Sequence, residues 1–112
     1  MNAATARGNR LILKGPATMR TIEAIHARLS RLIEEKPAVE IDCSAATEVD
    51  LSLIQLLLAA RKGANASGKT LILSRPASGA LRDALMRSGL LTAAGGSERD
   101  EHNFWLTGAT DQ

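Results

Sequence analysis

Eight residues in the second half of the chain match every fixed position of a nucleotide-binding loop. Residues 63–70 read GANASGKT, which fits the phosphate-binding pattern G-x-x-x-x-G-K-[ST]. That chemistry requires a strand before the loop and a helix after it, because the N–H groups and positive dipole end of the helix bind the phosphates. Here an apolar helix is predicted before the motif and a strand after it, so helix carbonyls would repel phosphate. The sequence therefore predicts a helix end and a polar turn, and nucleotide binding is the weakest functional alternative.

Few other residues are suited to catalysis or metal binding. His26 and His102 are the two histidines, and no third ligand lies at a telling spacing from them, so no metal site is predicted. Cys43 is the only cysteine, which excludes an intramolecular disulfide and a cysteine metal cluster. No histidine lies near Cys43 in a catalytic pattern, so we expect a small core residue rather than a nucleophile. We therefore expect no enzymatic activity and no cofactor.

Length and composition favour one small globular domain. The 112 residues are predicted to form a single domain over 1–112, with 45% apolar residues. The net charge of +2 is spread along the chain, and 2% aromatic residues leave no stacking platform for bases, so no nucleic-acid partner is expected. The first ten residues lack the apolar run of a signal peptide. Residues 51–60 are shorter than the roughly 20 residues of a membrane span. We therefore expect a cytoplasmic protein without direct membrane insertion.

The spacing of apolar residues predicts alternating strands and helices. Apolar and acidic residues alternate from Val39 to Cys43, which is typical of a strand. Thr18 is predicted to cap the first helix, with Met19 on the apolar face of that helix. We predict strands at about 3–7, 11–13, 39–43 and 70–73, helices after Thr18, over 51–66 and after Ser78, and a loop over 44–49. This order predicts an α/β fold in which a small mixed β-sheet packs with about three to four α-helices.

The C-terminal third gives weaker signals. Gly89 is predicted as the left-handed residue that ends the third helix, with Leu90 as the apolar contact after it. Residues 92–102 are polar and rich in glycine. The last apolar cluster, residues 104–106, is expected to dock as an edge strand or as a covering segment.

Residues 41–57 carry a pattern of acidic, hydroxyl and apolar residues that resembles the signature of STAS domains. The segment reads IDCSAATEVDLSLIQLL, and the signature runs roughly D-L-S-G-V-x-F-I-D-S-S-G-L-x-x-L. The matching positions are Asp42, Ser44, Val49, Asp50, Ser52, Ile54 and Leu57. The family includes anti-sigma-factor antagonists and the cytoplasmic tails of sulphate transporters. The resemblance implies a STAS-like fold and the docking of a protein partner.

The resemblance also implies where the partner binds. The partner-binding residues are expected to be Asp50, Leu51, Ser52 and Leu53, at the start of the second helix. In phosphorylated antagonists the accepting serine directly follows the Asp, and that position here is Leu51, which has no hydroxyl. Two alternatives stay open: Ser52 serves as the phosphoacceptor instead, or the protein is not phosphorylated. The usual phosphoswitch is therefore not expected.

The implied function is that of a regulatory protein-binding module in signal transduction. Its partner would be an anti-sigma factor, a histidine-kinase-like protein or another cytoplasmic signalling protein, as in chemotaxis-like clusters. The alternative is a cytoplasmic STAS subunit of an ABC-type lipid transport system.

The same residues also have an interpretation that does not use the family: Asp50 or Ser52 caps the helix, and Ser52 with Gln55 forms a capping box. Leu51 is then either an exposed docking residue or packed under the first helix; the oligomeric state stays open.

Overall fold

Four strands form one mixed sheet in the computed structural model, which describes residues 4–89 and 104–106. The elements are β1 (Ala4–Arg7), β2 (Arg10–Ala17), α1 (Ile22–Glu35), β3 (Ala38–Val49), α2 (Leu51–Ala66), β4 (Thr70–Leu73) and α3 (Gly79–Arg87). Residues 104–106 add one helical turn. The strand order is β1-β2-β3-β4; β1 runs antiparallel to β2, and the other two pairs are parallel. The predicted α/β class with a small mixed sheet is confirmed.

The connections between strands follow from local sequence. Gly8 has φ of 63° in the turn between β1 and β2, a conformation that glycine adopts without steric cost. The Asn9 side chain donates to the Ala38 carbonyl at 3.0 Å and ties this turn to the start of β3. The two parallel pairs are joined by α1 and α2, as parallel strands require a long crossover connection.

One face of the sheet and the inner faces of α1 and α2 form the core. Alternate residues of a strand point to opposite faces, so the buried residues fall at every second position, as Leu11 and Leu13 do in β2 and Val39 and Ile41 in β3. Helix α1 contacts β1, β2 and β3, while α2 contacts α1 and β4. Almost fully buried side chains are Leu11, Leu13, Ile25, Leu29, Val39, Ile41, Leu53, Ile54, Leu57, Leu71 and Leu73. The predicted bounds of α2 and the predicted strand at 70–73 agree with the structure.

The first helix begins later than predicted. Its N-cap is Thr21 and its first residue is Ile22. A turn precedes it, in which the Thr21 hydroxyl accepts from the Thr18 N–H at 3.0 Å and the Thr21 N–H donates to the Thr18 carbonyl at 2.9 Å. Met19 lies in this turn and is 73% exposed. Its assignment to the apolar helix face was wrong, because hydroxyl-mediated turns compete with helix at such positions.

The segment predicted as a loop, residues 44–49, is instead the second half of β3. It pairs with β2 as far as Val49 opposite Ala17, with two register shifts along the way. Strand β4 ends opposite Ile41, so β3 extends well beyond it, and α3 packs against β3. The sheet edge carrying the start of α2 is therefore built by β2 and β3 alone.

The last described elements are the third helix and the C-terminal apolar cluster, residues 104–106. Gly89 follows α3 with φ of 80°, as predicted for the residue that ends a helix. Phe104 and Trp105 are buried, so the cluster is a covering helical turn rather than an edge strand. Leu90, residues 92–102 and His102 lie outside the described residues. Within the described ranges, no helix is long and apolar enough to span a membrane.

Candidate functional site

The expected partner-binding residues lie where β2 and β3 end side by side. Ala17 and Val49 are the last paired residues of these parallel strands. The chain leaves β2 into the turn that carries Met19, and it leaves β3 directly into Asp50 and α2. Ligand sites of parallel sheets form where loops leave neighbouring carboxyl ends, so this edge is a suitable place for a binding surface.

Asp50 joins the two connections through its carboxylate. It is the N-cap of α2, in extended conformation, and Oδ1 accepts from the Ser52 N–H at 3.0 Å and from the Ser52 hydroxyl. Oδ2 accepts from the Met19 N–H at 2.9 Å. The N-cap proposed from the sequence is therefore Asp50 rather than Ser52. Asp50 therefore holds the start of α2 against the turn that carries Met19.

The hydrogen bonds keep the Asp50 carboxyl ionised. Partial burial raises its pKa, but hydrogen bonds from the Ser52 hydroxyl and from the backbone N–H groups of Met19, Ser52 and Leu53 lower it more strongly. The net result is a pKa below the ordinary value of 3.8. The start of α2 thus carries a fixed negative charge at neutral pH.

We expect Asp50→Asn to reduce the loss of stability in acid. Because the folded pKa of Asp50 lies below the unfolded value, the ionised group stabilises the fold above the unfolded pKa, and this contribution is lost as pH falls through the folded pKa. Asparagine keeps a capping oxygen but does not titrate. Urea unfolding from about pH 5 to about pH 2 should therefore show a shallower decline for the variant. The control is Glu34→Gln, which removes an exposed carboxylate from α1, away from Asp50. If the free energy of unfolding declined equally steeply with falling pH in Asp50→Asn and in wild type, the expectation would be contradicted.

Leu51 and Met19 are exposed apolar residues next to Asp50: Leu51 follows it in the chain, and the Met19 N–H bonds to its carboxylate. Leu51 is 51% exposed and Met19 is 73% exposed. Folding gains little from such positions, so the alternative in which Leu51 packs under the first helix does not hold. Ser52 is half-buried and its hydroxyl is committed to Asp50. Leu53 is fully buried, so the expectation that it contacts a partner is corrected: its large apolar side chain joins the core instead.

No local feature of the sequence points to Met19 as a site residue. It lies three residues before Ile22, in helical register with the apolar residues of α1, and this spacing predicts a place on the buried face of the helix. The signal that could have revealed its position is the pair Thr18 and Thr21, whose hydroxyls favour a turn before the helix.

A cleft of about 360 Å³ opens beside Asp50. Its walls come from the ends of β2 and β3 and from α3: Thr18, Thr47, Glu48, Val49, Asp50, Ala80, Asp83 and Arg87. The Arg87 guanidinium donates to the Val49 carbonyl at 3.3 Å and ties the end of α3 to the end of β3. The exposed Leu51 and Met19 are the chain neighbours of two cleft residues, Asp50 and Thr18.

Four signature residues, Asp42, Ser44, Ile54 and Leu57, do not line the cleft. The Ser44 N–H and hydroxyl donate to Asp42 Oδ1 at 2.9 and 2.7 Å, a local turn within β3. Ile54 and Leu57 are buried in α2. These matches thus support the strand and helix that position Asp50, rather than the surface itself.

The nucleotide-binding pattern has the reversed flanks that the sequence predicted. Its first residues end α2, and Thr70 begins β4. The Lys69 ammonium donates to the carbonyls of Ile33 and Glu34, at the C-terminus of α1. A cation there compensates the negative end of the helix, so Lys69 has a structural role.

The remaining reactive side chains form no constellation. Cys43 is partly buried and packs against the core, and burial raises the pKa of its thiol to about 12, which disfavours the reactive thiolate. His26 is exposed on α1. Residues 4–89 and 104–106 contain no group of three side chains arranged to hold a metal ion.

Comparisons with known proteins identify the family and the fold. A family model described as "Mlab, STAS domain" matches residues 2–110. The anti-sigma factor antagonist SpoIIAA in its unphosphorylated form has a similar fold, with a TM-score of 0.55 and 18% identity over 76% of this chain and 79% of that one. A chain of Mglu is similar over 68% of this chain, with a TM-score of 0.54 and 18% identity, and the match spans 20% of its length. No curated protein matches the sequence. Because the family model spans nearly the whole chain, the protein belongs to the STAS domain family, and its small mixed sheet with packed helices is a STAS-like fold.

Proposed function

We propose that this chain is a non-enzymatic regulatory module that docks a signalling protein through the loop and helix starting at Asp50. The observation that carries the proposal is the exposure of two apolar residues, Leu51 and Met19, next to Asp50. Exposed apolar side chains held by a rigid polar group are suited to a protein contact, since their burial supplies the free energy of association. The partner is an anti-sigma factor, a histidine-kinase-like protein or another cytoplasmic signalling protein.

Binding is expected to be constitutive or controlled by the partner. Leu51 has no hydroxyl to phosphorylate, and the hydroxyl of Ser52 donates to the ionised Asp50. A phosphate on Ser52 would remove that hydrogen bond and place close to two further negative charges beside the carboxylate. The repulsion disfavours Ser52 as the site of a reversible switch. Stoichiometric phosphate on Ser52 in the native host, with binding lost in Ser52→Asp but not in Ser52→Ala, would restore the switch.

The experiment that tests the docking surface is Leu51→Asp. The native partner is identified by affinity purification with the wild-type chain, and the affinity of the purified pair is then measured by calorimetry. A charge placed in a desolvated apolar contact typically costs about 2 kcal/mol or more, so we expect Kd to rise about thirtyfold or more. Circular dichroism should show an unchanged fold, because Leu51 is exposed.

Ile72→Asp is the matched control for Leu51→Asp. Ile72 is also an exposed apolar residue, at 41%, but it lies on β4, away from the start of α2. Its replacement should change Kd less than about twofold if the site is specific. An unchanged Kd in Leu51→Asp, or equal losses in both variants, would show that the partner binds elsewhere.

A second candidate function uses the same surface. Leu51 in place of a phosphoacceptor also fits a STAS subunit of an ABC-type lipid transport system, the alternative that the resemblance implies. The two functions differ in the protein that the purification returns. An ABC ATPase that depends on Leu51 supports the transport function, and a kinase-like or anti-sigma protein supports the signalling function.

A further inference from the structure

The cleft beside the proposed docking surface is acidic in a chain that is basic as a whole. The described residues that line it include three acidic ones, Glu48, Asp50 and Asp83, and one basic one, Arg87, so their formal charges sum to −2. The chain as a whole carries +2. The sign of the local field therefore comes from the placement of these side chains, and a cleft lined by one sign of charge favours a ligand of the opposite sign.

The cleft already accommodates one guanidinium. Arg87 donates to the Val49 carbonyl, which is the last backbone carbonyl of β3. The lining thus combines a backbone carbonyl with acidic residues, and carbonyl and carboxylate oxygens are the acceptors that planar, multiply donating cations bind best. At about 360 Å³, the cleft has room for a further side chain of arginine or lysine size.

The apolar residues of the docking surface adjoin the rim of this cleft. Met19 follows Thr18 and Leu51 follows Asp50, and the Met19 N–H bonds to the Asp50 carboxylate. A partner that covers Met19 and Leu51 therefore brings its own neighbouring side chains over the acidic wall. An acidic side chain there would meet like charge at a desolvated contact, which costs affinity.

We propose that the partner presents an arginine or lysine that enters this acidic cleft while an adjacent apolar residue of the same partner covers Met19 and Leu51. The proposal rests on the proposed function, and it specifies the chemistry of the partner. The apolar contact supplies affinity, and the basic side chain supplies register and specificity, because a partner without a cation there desolvates the acidic residues of the cleft and adds no counter-charge.

Selection from a library of phage-displayed 12-residue peptides on the immobilised full chain tests the proposal. We expect the selected peptides to carry arginine or lysine within two positions of an apolar residue. Synthetic copies of these peptides should lose about tenfold or more in affinity for Asp83→Lys, which reverses one charge of the wall at an exposed position of α3. Glu34→Lys makes the same charge change on α1, away from the cleft, and should alter Kd less than about twofold.

Leu51→Asp separates this proposal from the proposed function. Peptides that respond to both Leu51→Asp and Asp83→Lys support both. Peptides that depend on Leu51 but lack a basic residue, or bind Asp83→Lys as tightly as wild type, overturn the acidic cleft and leave the docking surface intact. A selection that yields no peptide dependent on Leu51 or Asp83 overturns both.

Discussion

Replacing Trp105 by alanine is expected to lower the free energy of unfolding by about 3–5 kcal/mol. Trp105 is fully buried, its ring meets that of Phe104 edge to face with centroids 4.8 Å apart, and its carbonyl accepts from the Ala77 N–H at 2.7 Å. The Arg61 guanidinium lies 5.1 Å from the Phe104 ring centroid, so the same turn also contacts α2. Alanine would leave a large cavity under this turn. The loss is a large share of the roughly 5–15 kcal/mol that stabilises a small domain.

Urea unfolding followed by far-ultraviolet circular dichroism measures this loss. Fluorescence cannot be used for the variant, because Trp105 is the only tryptophan in the chain. Leu106→Ala is the control: Leu106 is 40% exposed, and its truncation should cost less than about 1 kcal/mol. Trp105→Phe should fall between the two, since it keeps a ring and removes an indole N–H that has no hydrogen-bond partner among the described residues. Equal midpoints for Trp105→Ala and wild type would show that the turn does not stabilise the domain.

Helix α2 shows what local sequence is able to predict in this fold. Its observed bounds, Leu51–Ala66, agree with those predicted, because both ends have strong local signals. Asp50 supplies the capping carboxylate at the start, and Gly68, with φ of 77°, follows the end. The apolar residues between these signals leave no alternative but a buried helix. The candidate site at the start of this helix is predicted from the resemblance to STAS domains and not from these capping signals.

The second half of β3 shows what local sequence does not contain. Residues 44–49 are small or polar, and most of them are exposed, so no alternation of buried side chains marks them as a strand. They are extended because they pair with β2, whose partner residues lie about 30 positions earlier in the chain. The two register shifts in that pairing remove the remaining period-two signal. Non-local hydrogen bonds thus set the length of β3 and place Asp50 beside the end of β2.

The composition of the docking surface was predictable only in part. For Leu51 the sequence left two alternatives, an exposed residue or one packed under the first helix, and the structure shows that it is exposed. Leu53, two positions later, turns to the opposite side of the helix and is buried, as the 100° step between helical residues requires. Met19 reaches the surface through a turn closed by Thr21 and a bond to Asp50 across 31 positions. Only the tertiary structure brings it beside Leu51.

Helix α2 carries the proposed docking surface at its first turn and contributes to the core through its middle. A substitution at Leu57 tests the core contribution separately from the surface. Leu57 is fully buried in the middle of α2, nearly two turns beyond Leu51. Its side chain does not take part in the Asp50 hydrogen bonds that position the helix start. A substitution at Leu57 therefore removes core packing and leaves the residues at the start of α2 unchanged.

We expect Leu57→Ala to lower the free energy of unfolding by about 2–5 kcal/mol, because truncation leaves a cavity in a core that relaxes only in part. Gln55→Ala, at an exposed position of the same helix, should cost less than about 0.5 kcal/mol. Urea unfolding measures the stability of both variants. Partner affinity is measured at a temperature at which each variant has a free energy of unfolding of about 2 kcal/mol or more, so that more than about 95% of it is folded. Under that condition Leu57→Ala should keep the wild-type Kd, in contrast to Leu51→Asp. A wild-type unfolding midpoint in Leu57→Ala would contradict the packing of α2 described above, whereas a stable but non-binding Leu57→Ala would mean that the surface extends along α2 beyond its first turn.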